Sequence, residues 1–177
     1  MDFNRPLKVM IHDAYGIFTL KRDGGGGDPH SGRNWALAKY VWAGHIMAAV
    51  ENQPAPYGQL LQFCYAPEYR DKDFKALKKC LFAAFMRRFG EEVKQRRTEL
   101  RIKKLIEIAL YDYKLSTQGQ GMTIEKVCEL AGLDRSNFYK HERQWRRWYQ
   151  WLGNKIHSWE REARKSAREA LERKMCA

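Results

Sequence analysis

The chain lacks any apolar run that approaches the roughly 20 consecutive residues needed to span a bilayer. Its opening residues, MDFNRPLKVM, also lack the basic-then-apolar pattern of a secretory signal. Cysteine is sparse: the four residues, at 64, 80, 128 and 176, are scattered and no pair has zinc-ligand spacing. Five histidines supply no complementary pattern. We therefore expect reduced thiols, a cytoplasmic compartment, and neither a structural metal nor a cofactor. The glycine-rich stretch DGGGGDPHSGRN, 23–34, is not followed by Lys-Ser or Lys-Thr, which a phosphate-cradling P-loop requires. No serine or cysteine sits in a recognisable nucleophile motif, and no carboxylates cluster as metal ligands. These absences point away from an enzyme.

Positive charge is what the chain has in excess. Lys and Arg number 33 against 21 Asp and Glu, a formal charge of +12 over 177 residues. Such a surplus favours polyanionic partners, either nucleic acid or an anionic membrane surface, and the missing apolar span weakens the second. The length suits one domain or two small ones with a real core.

Read in order, residues 1–22 admit two readings. Leu7, Met10, Ile11, Ala14 and Phe18 keep helical spacing after Pro6, whereas Gly16 and the run Ile17-Phe18-Thr19-Leu20 favour a strand or a break. Residues 23–34 read as a flexible connector, because four consecutive glycines resist regular structure. Helical patterns follow: Trp35 to Val50, with Ala38, Val41 or Trp42, and Ala49 inward, then Tyr57 to Tyr65 beyond Pro54-Ala55-Pro56. The next helix carries Phe74, Leu77, Leu81, Phe82, Phe85 and Phe89 on one face, and Gly90 ends or bends it. Residues 87–104 hold eight Lys or Arg against three Glu and lead into Leu100, the Lys104 stem, Leu105, Ile108 and Tyr111 or Asp112. This is a helix packed on one side with a basic stripe on the other, suited to flanking phosphates.

Met122 to Trp145 has the spacing of a helix-turn-helix. Thr123 is placed to cap a short helix whose inner face is Ile124, Val127, Leu130 and Ala131. Gly132 follows, where a left-handed backbone ends a helix at least steric cost. Leu133 plugs the corner, and Asp134 caps a second helix. On that helix Phe138 and His141 or Trp145 point inward, leaving Arg135, Ser136, Asn137, Tyr139 and Lys140 outward. Arg donates two parallel hydrogen bonds to guanine, and Asn both donates to and accepts from adenine. Arg135 and Asn137, with Ser136 contributing, are thus candidates for base edges. Thr123, Tyr139, Lys140, Arg143, Arg146 and Arg147 are candidates for phosphates, which set register without carrying sequence information.

Beyond it, Trp145, Trp148, Leu152, Ile156, Trp159, Ala163, Ala167, Leu171 and Met175 recur every three or four residues, which reads as core and not as a base-stacking platform. Gly153-Asn154 breaks or bends this stretch. Glu160–Arg164 and Glu169–Arg173 stand four apart, a spacing that contributes a few tenths of a kcal/mol per pair.

The string AGLDRSNFYKHE resembles the DNA-reading segment of TetR-type repressors and of several transposase and phage regulator families, over roughly two dozen residues. TetR-type repressors carry it near the N-terminus with a large ligand domain behind; here it lies late, with one long helix after it. In layout the chain resembles small bacteriophage regulators, including late-gene antitermination proteins, which are similar in length and basicity. That resemblance implies the bacterial host cytoplasm or nucleoid, and RNA polymerase as a partner.

The expectation is an all-α protein: an N-terminal segment with a Gly-rich linker (1–34), a helical domain (35–115), and a helix-turn-helix domain with a long charged C-terminal helix (120–177). Its expected function is sequence-specific binding of double-stranded DNA in transcription control, with RNA polymerase or a second copy on the helical domain and no membrane. An accessory subunit of a DNA-processing machine, such as a terminase small subunit or a recombinase partner, is the alternative.

Overall fold

A computed structural model describes residues 6–22, 33–140 and 144–175. These residues are all-helical, without a strand. In chain order they form α1 (Leu7–Arg22), α2 (Arg33–Glu51), α3 (Tyr57–Tyr65), α4 (Asp71–Phe89), a short 3-10 turn (Gly90–Glu92), α5 (Arg96–Thr117), α6 (Ile124–Ala131), α7 (Arg135–Lys140) and α8 (Gln144–Met175). They pack as two units, one of residues 1–70 and 160–177, the other of residues 71–159.

In the first unit Leu7, Met10, Ile11 and Ala14 of α1 are buried with Ala43, Ile46, Ala49 and Val50 of α2. The helical reading of residues 7–22 therefore holds over the strand reading. The β-branched Ile17 is carried along by an amphipathic face, because tertiary packing overrides a weak local preference. Val41, an alternative to Trp42 for the inner face, lies outside at 52% exposure, and the half-buried Trp42 packs against the core. Alanines at 14, 43 and 49 let the backbones of α1 and α2 approach. Closer still is the start of α3: a Cβ added at Gly58 would lie 2.7 Å from the Val50 carbonyl oxygen, so only glycine fits. The C-terminal part of α8 completes this core with Ala163, Ala167 and Leu171.

Glu160 is almost fully buried and takes hydrogen bonds from the Tyr65 hydroxyl and from Arg164 Nη1 at 3.2 Å. A neighbouring Tyr57 hydroxyl donates to Glu162. Burial, then the Glu160 contact, pushes the Tyr65 phenol well above its ordinary value, so it remains a donor. The Glu160–Arg164 pair is thus more than the surface pair its spacing suggests, since an unpaired carboxylate here would bear the full desolvation cost. Arg173, by contrast, donates to the Glu169 backbone carbonyl.

In the second unit Phe74, Leu77, Leu81, Phe85 and Phe89 of α4 are buried, with Ile102, Leu105, Ile106, Ile108, Ala109 and Leu110 of α5. The buried face of α5 differs from the expected one: Leu100 is 59% exposed and Ile102 takes the inner position. The first half of α8 enters this core through Trp148, Leu152, Ile156 and Trp159. Edge-on ring contacts join Phe85 to Trp148 at 5.3 Å, Phe89 to Trp151 at 5.4 Å and Trp145 to Trp148 at 5.1 Å. Trp148 and Trp159 are core, Trp145 and Trp151 are half-buried, and α8 runs through Gly153-Asn154 without a break.

Helices α4 and α5 belong with α6 and α7, and α8 is shared between the units. Helical spacing marks which face of a helix is apolar; it does not say which helix covers it.

Two glycines on neighbouring helices should respond oppositely to alanine. Gly58→Ala should lower stability by about 1–3 kcal/mol through overpacking against Val50. Gly44→Ala, with nothing within 4 Å of the added Cβ, should raise it by about 0.5–1 kcal/mol. Urea unfolding midpoints measure both.

Candidate nucleic-acid interface

The candidate interface is built on α6, the turn after it and α7. Thr123 caps α6: its backbone is extended and its Oγ1 accepts from the Lys126 amide at 3.3 Å. Val127, Cys128 and Ala131 form the buried side. Burial raises the Cys128 thiol, with Glu125 adding to it, so Cys128 behaves as a small apolar residue. At Gly132 the chain turns left-handed, φ 61° and ψ 37°. The Leu133 amide then donates to the Cys128 carbonyl at 2.9 Å and the Gly132 amide to the Glu129 carbonyl at 3.1 Å, closing a Schellman-type end. Leu133 is buried in the corner. Asp134 opens α7 by accepting from the Ser136 amide at 2.9 Å. Phe138, fully buried, anchors α7, with the Tyr149 ring 6.2 Å away.

The segment leading into α6 is held by one carboxylate. Asp112 Oδ1 accepts from the Met122 amide at 2.6 Å, and Oδ2 accepts from the Tyr149 hydroxyl. Burial first, then this contact, pushes the Tyr149 phenol far up, keeping it protonated as the donor. One side chain of α5 thereby joins the start of α6 to α8.

Arg135, Ser136 and Tyr139 face solvent on α7, and Arg146 and Arg147 face solvent at the start of α8. Thr123 is exposed as well. Asn137 and Lys140 lie on α7, but their side chains fall outside the described residues, as does Arg143 altogether. Two of the exposed arginines have acidic partners that helical spacing does not reveal. Arg135 Nη2 meets Glu125 Oε1 at 2.8 Å across the turn. The Glu125 carboxyl is held below its ordinary value, first by its own backbone amide and then by Arg135, so the pair persists into acid and opens only as pH falls through that lowered value. Arg147 pairs with Glu92 and lies over the Phe89 ring at 5.4 Å. Lys126 pairs with Glu129 at 3.1 Å. Arg146 stacks on Tyr139 at 5.5 Å, with no acidic partner among the described residues.

Magnitude decides whether the Glu125 pair closes the face. Both side chains are more than half exposed, at 65% and 55%. An exposed pair contributes about 0–1 kcal/mol, whereas a bidentate arginine–guanine contact contributes about 1–3 kcal/mol of discrimination. Arg135 is therefore restrained and still exchangeable. Among the described residues no group of His, Cys, Asp and Glu side chains forms a metal site, and no helix is long and apolar enough to cross a membrane. No protein-family model, curated protein or solved structure matches the chain.

Removing the carboxylate at Asp112 should loosen this whole arrangement. Asp112→Ala leaves two donors unpaired and should destabilise by about 2–3 kcal/mol, against about 1 kcal/mol for Tyr149→Phe. Gly132→Ala meets no neighbour but forces an L residue into the left-handed region, at about 1–2 kcal/mol. Equilibrium unfolding of the three variants checks the order.

Proposed function

We propose that the protein is a sequence-reading, double-stranded-DNA-binding regulator of transcription that docks α7 in the major groove. The observation that carries this reading is the combination on one short helix: Phe138 locks it down while Arg135, Ser136 and Tyr139 are left outward. A chain of formal charge +12 supplies the long-range attraction to the duplex.

In this reading Arg135 leaves Glu125 for a guanine edge, with Asn137 and Ser136 beside it on adjacent bases. Tyr139 and Arg146, stacked together, and Lys140, Arg143 and Thr123 reach phosphates on either side. Arg147 makes a lesser contribution, because Glu92 and Phe89 already hold it. RNA polymerase or a second copy would engage other surfaces, as in a phage-type antitermination factor, and a second copy would suit a two-fold site.

Selection from random duplexes followed by sequencing tests the reading: an enriched motif supports it, and its symmetry reports stoichiometry. A pool that emerges without sequence bias overturns it. Within an enriched site, Arg135→Ala should cost about 1–3 kcal/mol and relax preference at one base pair. Arg146→Ala should instead weaken all sequences alike and reduce the slope of log affinity against log salt by about one. Fluorescence anisotropy on single-base variants across a salt series separates the two behaviours.

A further inference from the structure

Away from the helix-turn-helix, the second unit carries a cationic trough between α4 and α5 of about 440 Å³. Lys75, Lys78 and Lys79 line it from α4, and Lys103, Lys104 and Glu107 from α5. Its floor is apolar, formed by the half-buried Phe82 and the lysine stems, with Ile106 buried beneath. Two of the lysines are already engaged: Lys78 pairs with Glu107 at 3.0 Å, and Lys103 with Glu99 at 2.6 Å while lying over the Phe82 ring at 4.9 Å. Lys75, Lys79 and Lys104 have no acidic partner among the described residues and are exposed. Three unmatched ammonium groups thus stand on both banks of an apolar channel.

We propose that this trough docks an acidic amphipathic helix of a partner protein. An occupant must satisfy two demands at once, apolar groups for Phe82 and the lysine stems and carboxylates for the three ammonium groups. A helix with apolar residues at i, i+4 and i+7 and acidic residues along their flanks does both. The trough follows α4 from Lys75 to Phe82, about two helical turns, a length such anchors match. A duplex meets only the second demand, since phosphates gain nothing from an apolar floor. A small ligand is usually enclosed over most of its surface, and this trough is only partly enclosed. A second copy is disfavoured by charge, for no stretch of this chain is dominated by carboxylates. The site is independent of the duplex reading, so failure of either leaves the other standing.

The test uses the full chain and a fluorescein-labelled synthetic helix of about 16 residues with leucines at i, i+4 and i+7 and glutamates between them. A scrambled peptide of identical composition is the control. Anisotropy should show the patterned peptide binding at least about tenfold more tightly than the scrambled one, with Phe82→Ala removing that preference. The triple variant Lys75→Gln, Lys79→Gln and Lys104→Gln should weaken binding about tenfold or more while leaving the helical circular dichroism unchanged. Equal affinity for both peptides would mean undirected charge attraction and would overturn the proposal. So would the absence of binding, or a triple variant that loses duplex affinity and keeps peptide affinity, which would make the trough a phosphate-contacting surface.

Discussion

Everything downstream of α5 in the second unit depends on where Asp112 puts its charge. Its two oxygens take a backbone amide from the residue before Thr123 and a phenol from α8. Hydrogen bonds to an ionised acceptor are about twice as strong as neutral ones, and a part-buried site strengthens them further. With Met122 held, Thr123 is in place to cap α6. With α6 placed, the left-handed turn at Gly132 sets the direction in which α7 leaves. The exposed side chains of α7 inherit their positions from a carboxylate that they never touch.

The same chemistry recurs along α8. Tyr149 of this helix donates to Asp112, while its Glu160 and Glu162 receive the hydroxyls of Tyr65 and Tyr57. The apolar stripe of α8 passes from large aromatics to Ala163 and Ala167, and small side chains resist sliding along a helix axis poorly. Phenol–carboxylate bonds do resist it, because a shift of one residue leaves donor and acceptor unmatched. Apolar burial supplies most of the attraction holding this helix, and these polar contacts select its register.

Much of this was legible in the sequence, and the illegible part has a common cause. Period and capping chemistry are local, so the helices, the Thr123 and Asp134 caps, the glycine turn and the inward Phe138 could be read from neighbours a few residues apart. The fold class followed from those alone. Residues 1–22 stayed ambiguous because Gly16 and Ile17 weaken a pattern that only burial against Ala43 and Ile46 decides. Contacts far apart in sequence left no local trace: Asp112 with Tyr149, Glu92 with Arg147, Tyr65 with Glu160, and the grouping of α4 and α5 with α6 and α7. Nothing in their spacing distinguishes the lysines at 75, 78 and 79 from an ordinary solvated face of α4. Only the approach of Lys103 and Lys104 on a second helix turned them into a channel. Glu125 and Arg135 stand ten positions apart, across a turn, and no spacing rule joins them.

In the proposed duplex reading, that last pair has a consequence apart from its small energy. With Glu125 holding one guanidinium nitrogen of Arg135 at 2.8 Å, an incoming acceptor must offer more than the carboxylate does. A single weak acceptor fails that comparison, whereas two well-aligned acceptors succeed. The glutamate therefore subtracts the same amount from every encounter, and only an acceptor that outweighs it holds Arg135.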